Sequence, residues 1–112
     1  MKVQSGDVVT VDFPAVTGIK RRPAVVLSSQ TYHTNRPDVI VGLITSQTKN
    51  LGVTDYILQD WQISGLRVPS IFRSFIVTLP LSANLVVIGK LSEQDTQGVR
   101  DCVKLSLINF GE

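Results

Sequence analysis

The sequence contains few residues that bind metals or form disulfides. Its 112 residues include one cysteine, Cys102, and one histidine, His33. A single cysteine excludes an internal disulfide and a cysteine-rich metal site, and no His, Cys, Asp or Glu cluster has the spacing of metal ligands. We therefore expect a protein that uses no metal and no cofactor and that works in a reducing cytoplasm.

Long apolar segments and a strong net charge are also missing. The N-terminus lacks the apolar run of a signal peptide, and no segment approaches the length of a membrane span. The chain has 11 basic and 9 acidic residues, a net charge of +2, so any RNA site must come from local clusters. Lys20, Arg21 and Arg22 form the one tight basic cluster, and Arg67 and Arg73 form a looser one.

The composition is that of an ordinary globular protein. The chain is 43% apolar and 18% charged, whereas a disordered chain is less apolar and more charged. A length of 112 residues is enough for one core, so residues 1–112 are expected to form a single domain.

Most of the chain reads as short strands. β-Branched and aromatic residues predict a strand from Val8 to Phe13 and five more in later segments. Those five are Ala24–Ser28, Val39–Ile44, Thr54–Leu58, Ser70–Leu79 and Leu85–Leu91. The connections 15–21, 29–37 and 60–69 are expected to be loops, the last two with a possible helical turn. Gly42 predicts a bulge or a close backbone approach within its strand.

The last segment predicts a helix. Ser92 can cap its N-terminus, and Glu93 and Asp95 suit the positive end of the helix dipole. Its apolar stripe is formed by Val99, Cys102, Val103, Leu105 and Phe110. Several short strands and one terminal helix indicate a mainly β protein with a small, strongly bent sheet or barrel.

Four motifs in the same order resemble the PemK/MazF family of toxin endoribonucleases. The first is the pair of opening strands, Gly6–Pro14 and Gly18–Ser28, which contains Arg22-Pro23. The others are Val41–Ser46, the Trp61, Gly65-Leu66 and Pro69-Ser70 pattern, and Ile88–Ser92. Each motif alone is weak, and the four together in sequence order are fairly specific.

The resemblance implies an SH3-like barrel with a C-terminal helix, usually a homodimer. It also implies the toxin of a type II toxin–antitoxin system, a metal-independent endoribonuclease that cleaves single-stranded RNA. A cognate antitoxin protein would block the site. A homodimer is also expected because Trp61 and part of the run 79–88 would leave apolar surface to cover.

Arg22 and Thr45 are the candidate catalytic residues. Pro23 fixes its own φ and restricts Arg22, so Arg22 is expected where the loop 15–21 becomes a strand. Its planar guanidinium can bind two phosphate oxygens, and Thr45 can donate its hydroxyl to a third. The basic and polar residues around them are the RNA-binding candidates: Lys20, Arg21, Ser46, Gln47, Ser70 and Arg73.

One departure from the family pattern leaves a second hypothesis open. Many members carry an arginine where this chain has Val77, and Arg73 lies four residues earlier. The chain is therefore either an active RNA-cleaving toxin or a catalytically weak or inactive barrel that binds RNA or a protein. A structural SH3-like module ranks third. Trp61 is interpreted as a core or interface anchor, and His33 as a surface residue.

Overall fold

A computed structural model describes residues 3–107 of the chain, apart from the side chains of Pro14, Ala15 and Leu81. Six strands form one antiparallel sheet in the order β4-β5-β3-β2-β1-β6. The strands are β1 (Asp7–Ala15), β2 (Gly18–Val26), β3 (Val39–Thr45), β4 (Asp55–Ile57), β5 (Ile71–Leu79) and β6 (Val86–Lys90). Two helices, α1 (Gln30–Asn35) and α2 (Glu93–Ser106), complete the fold together with a 3₁₀ turn, Leu81–Ala83. Phe110 lies outside the described residues.

The mainly β fold with a C-terminal helix is confirmed. Within residues 3–107 the sheet is nevertheless open, because β4 and β6 are its two edges and do not pair. The turn after β4 approaches β6 instead: a Cβ on Gly65 would collide with the carbonyl of Ile88, and one on Gly89 with that of Ser64. Two glycines thus let the turn pack directly on the β6 backbone.

The loop expected over residues 15–21 is wrong. Ala15 pairs with Gly18, so β1 and β2 form a hairpin with only Val16 and Thr17 between the paired residues. Gly18 supports this turn with a φ of +124°, which favours glycine. Residues 18–21 are exposed, so they extend the hairpin beyond the core. Their polarity therefore does not mark them as a loop.

The two faces of the sheet carry separate apolar clusters. On one face, which we call the helix face, β1, β2, β3 and β5 pack against Val99 and Cys102 of α2. The opposite face is filled by Val11, Val41, Leu43 and their neighbours. Trp61 packs against the helix-face cluster, in agreement with its interpretation as a core anchor. The single thiol, Cys102, is free and buried, and burial raises its pKa.

Gly42 shows the close approach that was one of the two expectations from the sequence, and the bulge next to it lies in the partner strand β5. The pairing of β3 with β5 shifts between Gly42 and Leu43, which marks a bulge. A Cβ on Gly42 would also collide with the ring of Phe72, so the glycine allows close packing on the helix face. The bulge becomes important for the site, because it changes which β5 residues lie opposite the end of β3.

Helix α2 is tied to the sheet through one buried carboxylate. Ser92 caps the helix, and its hydroxyl accepts from the Asp95 amide. Asp95, which is fully buried, accepts hydrogen bonds from the Tyr56 hydroxyl at 2.9 Å and from the Gln59 and Asp60 amides at 3.0 and 2.9 Å. The carboxylate thereby joins β4, the following turn and α2.

Candidate functional site

A split between β2 and β3 forms the centre of the candidate site. In the described residues these strands pair only through Ala24, Val25 and Val26. The ladder between them stops before Pro23. Proline has no N–H to donate, so it cannot continue a ladder in the middle of a sheet. The N-terminal half of β2 therefore pairs with β1 alone. A gap in the sheet opens beside the end of β3.

Arg22 and Thr45 lie on the two sides of this split. Extending the register of the Ala24–Leu43 pair by two residues would set them opposite each other, and both line the same two clefts. Arg22 is half-buried and belongs to β2, so its expected position at a loop end is wrong. Among residues 3–107 it forms no salt bridge, which leaves its guanidinium available to an anion.

The Thr45 hydroxyl is held by the backbone that follows it. Thr45 is 8% exposed, and its Oγ1 accepts a hydrogen bond from the Gln47 amide at 3.1 Å. The hydroxyl proton remains free to be donated into the split. The sequence expectation that Thr45 donates to a phosphate oxygen is compatible with this arrangement.

A cleft of about 600 Å³, which we call the basic cleft, opens from the split on the helix-face side. Lys20, Arg21 and Arg67 supply cations to it in addition to Arg22. Apolar residues, among them Ile44, Leu66 and Ile88, line its interior, and Ser46 and Ser70 add hydroxyls. Such a cleft combines positive charge with apolar surface, as single-stranded nucleic acids require.

Arg21 is engaged in a polar network on the exposed part of the hairpin. Its guanidinium donates to Asp12 Oδ1 at 3.0 Å and to Thr10 Oγ1 at 3.1 Å. Asn84 donates to the other oxygen of the same carboxylate at 2.6 Å. Asn84 and then Arg21 hold the pKa of Asp12 below its usual value. Arg21 therefore has a fixed position, and Asp12 balances its charge.

A second cleft of about 520 Å³, which we call the aromatic cleft, lies on the opposite face and shares Lys20, Arg22 and Thr45 with the first. Phe13 and Phe75 line it, together with Arg73. Arg73 Nε lies 3.4 Å from Asp55 Oδ1, so the charge of this arginine is partly neutralised.

The structure thus brings together most of the residues singled out from the sequence. Seven of the eight line one or both clefts; they are Lys20, Arg21, Arg22, Thr45, Ser46, Ser70 and Arg73. Gln47 lines neither cleft in the described residues and contributes its amide to Thr45. Ser70 is buried and donates to the Val68 carbonyl at 2.9 Å, which also gives it a local structural role.

Several cleft residues, among them Arg67 and Phe75, were not among the site candidates from the sequence. Arg67 stood out only as part of a loose basic cluster, and the structure adds it to the basic cleft. Phe75 lies within the strand predicted over Ser70–Leu79, and the structure leaves 52% of this residue exposed. The pattern of the fifth strand carries no signal for this exposure, because the bulge that produces it is set by tertiary pairing.

His33 is half-buried rather than on the surface, and its Nε2 lies 2.5 Å from the buried hydroxyl of Ser28. Val77 packs against the core cluster of the opposite face and pairs with Val41.

No helix among residues 3–107 has the length and apolar character to cross a membrane, and no group of three or more potential metal ligands occurs in the same residues.

Comparison with known proteins gives consistent results. The family profile of PemK-like, MazF-like toxins of type II toxin–antitoxin systems matches residues 4–107. No curated protein sequence is a significant match. Similar solved structures include a MazE–MazF crystal structure from Deinococcus radiodurans, with 20% identity, a TM-score of 0.75 and coverage of 97% of this chain and 99% of the other.

Two mycobacterial structures are similar as well. The Mycobacterium tuberculosis toxin MazF-mt6 has 20% identity and a TM-score of 0.72, covering 89% of this chain and 94% of its own. An endoribonuclease in complex with its cognate antitoxin, from a mycobacterial species, has 16% identity and a TM-score of 0.76, covering 96% and 99%. At these identities the structural likeness establishes the shared fold.

Proposed function

Because the chain belongs to the PemK-like, MazF-like toxins of type II toxin–antitoxin systems, we propose that it is a toxin that cleaves single-stranded RNA without a metal ion. The observation that carries this proposal is the position of Arg22 and Thr45 on the two sides of the β2–β3 split. A guanidinium and a free hydroxyl proton there line both clefts.

RNA supplies its own nucleophile for this reaction. The 2′-hydroxyl loses its proton, its oxygen attacks the adjacent phosphorus, and the bond from phosphorus to the 5′-oxygen breaks. The leaving 5′-oxygen takes up a proton. The products are a 2′,3′-cyclic phosphate and a 5′-hydroxyl, and the protein's main task is to stabilise the charge that develops on the phosphorus.

Arg22 and Thr45 have the chemistry for this task. The guanidinium of Arg22 can donate to two phosphate oxygens at once and stays charged at any physiological pH. Thr45 donates to another oxygen while the Gln47 amide fixes its Oγ1. Both groups are preorganised by strands rather than by a loop, which favours stabilisation of the transition state.

The remaining polar residues are proposed to bind the RNA on either side of the cleaved phosphate. Lys20 reaches both clefts, Arg21 and Arg67 belong to the basic cleft, and Arg73 belongs to the aromatic cleft. Ser46, Gln47 and Ser70 surround Thr45 at the end of β3 and the start of β5 and add hydrogen bonds. Contacts between these cations and the RNA phosphates provide an affinity that decreases as the salt concentration rises.

A cognate antitoxin and a second copy of the chain are the proposed protein partners. The Deinococcus structure is a MazE–MazF pair and a mycobacterial one is an endoribonuclease with its antitoxin. We infer that an antitoxin covers the clefts of this chain and so keeps RNA from Arg22. The place of action is then the cytoplasm, where RNA and the antitoxin are made.

A cleavage assay on purified protein tests the proposal. A long single-stranded RNA and the same RNA annealed to its complement are incubated with the protein in excess EDTA. We expect cleavage of the single strand only, with a 5′-hydroxyl on the downstream fragment and a cyclic phosphate on the upstream one by mass spectrometry. A downstream 5′-phosphate, or cleavage that stops in EDTA, contradicts the mechanism.

The alternative is a weak or inactive member that binds RNA or a protein through the same clefts. The observation that favours it is Val77, which packs against the core at the position where many relatives have an arginine. Intact RNA together with a measurable affinity for a single strand would support this alternative.

A further inference from the structure

The bulge in β5 exposes an aromatic ring beside the proposed phosphate site. Gly42 pairs with Ile76, and the next residue of β3, Leu43, pairs with Arg73. Ser74 and Phe75 are therefore left without partners in β3. A two-residue insertion of this kind redirects side chains from a regular strand, and 52% of Phe75 is exposed.

The ring of Phe75 has a fixed place in the aromatic cleft. It meets Phe13 edge to face, with the ring centroids 5.7 Å apart and an interplanar angle of 87°. Phe13 is 4% exposed and belongs to the core. Its contact with Phe75 therefore restricts where the Phe75 ring can lie. Because β1 and β5 are not neighbours in the sheet, this contact also means that the sheet curls over this face.

The surroundings of Phe75 are positively charged. The same cleft contains Lys20, Arg22 and Thr45, and neither Lys20 nor Arg22 forms a salt bridge within residues 3–107. Proteins that bind single-stranded RNA combine cations for the phosphates with exposed aromatic rings for the bases. The aromatic cleft provides both within one cavity of about 520 Å³.

We propose that Phe75 is an RNA-binding residue that stacks one unpaired base next to the phosphate held by Arg22. This inference rests on the proposed function and adds a second contact to it. The charge of the cleft argues for a nucleotide as the occupant. A nucleotide brings a flat apolar base and an anion together, whereas the same face of a second copy would bring more cations against Lys20 and Arg22.

Binding to an RNA that cannot be cut isolates this contact. A mixed-sequence, fully 2′-O-methylated single strand lacks the attacking hydroxyl, and its affinity is measured by fluorescence anisotropy. We expect Phe75→Ala and Phe75→Leu to weaken binding by about tenfold or more, as loss of one stacked base does. Phe75→Tyr should retain the affinity, and Ile63→Ala, at an exposed apolar position outside both clefts, is the matched control.

The salt dependence separates stacking from charge. Because Phe75 contacts no phosphate, Phe75→Ala should leave the slope of log Kd against log salt unchanged. Arg22→Ala should make that slope shallower by about 0.7 for one lost phosphate contact to a single strand. An affinity of Phe75→Leu equal to that of the wild type would show that the residue only packs on Phe13, and the inference would be wrong.

Light scattering tests whether Phe75 lies in an interface between two copies of the chain. If Phe75→Ala lowers the mass of the protein in solution, Phe75 belongs to an interface between copies, and the stacking role is rejected. A wild-type protein that cleaves RNA while all Phe75 variants bind normally refutes this inference and leaves the proposed function intact. A wild type that neither binds nor cleaves RNA refutes both.

Discussion

At the scale of single residues, the site depends on where each cation is held. Arg22 has no acidic partner among the described residues, Arg21 is neutralised by Asp12, and Arg73 is close to Asp55. These three arginines are not equivalent, although a sequence shows them only as positive charges. The unpaired one, Arg22, lies at the β2–β3 split, where the proposed mechanism binds the phosphate.

Arg73 is expected to contribute to RNA affinity more than to catalysis. Val77 pairs with Val41 and Arg73 pairs with Leu43, so the bulge places Arg73 two β3 positions from Val77, where a regular strand would place it four positions away. Its pairing with Asp55 takes up part of its charge. We therefore expect Arg73→Ala to raise KM more than it lowers kcat, with a salt slope shallower by up to about 0.7.

Steady-state cleavage kinetics at several salt concentrations check whether Arg73 contributes to affinity more than to catalysis. Arg36→Ala is a suitable control, because Arg36 is an exposed arginine whose acidic partner, Asp38, lies 3.5 Å away and neither residue lines the clefts. A large loss of kcat in Arg73→Ala with unchanged binding would instead make Arg73 a catalytic group. The pair with Asp55, in which the arginine side chain is 36% exposed and the carboxylate 10%, should add about 1 kcal/mol to stability.

At the scale of secondary-structure elements, the strands of the core were predictable from their apolar residues. β3 matches its expected range within one residue because all but one of its residues are buried, and α2 begins after Ser92 as its capping pattern indicates. The start of β2 was not predictable, because the hairpin beyond the core exposes residues 18–21. A strand that buries nothing has no apolar pattern.

The site was also predictable only in part, because two of its residues reach the clefts through tertiary contacts. Arg22 and Thr45 came from a resemblance that also orders the strands, and the structure places both at the split. Phe75 and Arg67 depend on the β5 bulge and on how the 60–69 turn folds back. Gly42 indicated a bulge in β3, but the two extra residues lie in its partner strand β5, and the path of the turn has no local sequence signature.

The attachment of α2 to β4 gives a pH-dependent contribution to stability. Burial, and then the hydrogen bond to Asp95, raises the pKa of Tyr56 from 10.0 to about 12. Because the raised value belongs to the folded protein, the contribution is fully present below pH 10 and is lost as the pH rises through about 12. Ionisation of the phenol removes the hydrogen bond that β4 donates to Asp95 of α2.

Tyr56→Phe tests this contact. At neutral pH the variant should lose about 1.5–3 kcal/mol of unfolding free energy, because the hydrogen bond is made to a charged group. Denaturant titrations of both proteins at pH 7, 9 and 11 measure the difference. The difference should be constant from pH 7 to 9 and smaller at pH 11, and a difference that grows with pH would contradict the assignment.

At the scale of the whole molecule, apolar surface remains uncovered on one chain. The exposed apolar side chains include Ile19 at 75% and Val86 and Val87 at 51% and 48%. An interface between two copies would cover such side chains, and a twofold homodimer is the commonest symmetric assembly. The proposed RNA site would then occur twice in the functional particle.

Light scattering at several protein concentrations checks the homodimer. We expect a mass of twice the 12.3 kDa of one chain, and replacing Val86 and Val87 together with serine should shift the protein towards the monomer. A mass equal to one chain at every concentration would reject the homodimer.

The most direct test of the account is the cleavage rate of Arg22→Ala on single-stranded RNA in EDTA. Arg22 has no ion pair to lose in the described structure, so the variant should unfold at nearly the wild-type temperature. Its kcat should fall by about two to three powers of ten, the usual loss of one charge-stabilising donor, while Arg36→Ala cleaves normally. A folded Arg22→Ala protein with wild-type kcat would contradict the central claim that Arg22 at the β2–β3 split stabilises the reacting phosphate.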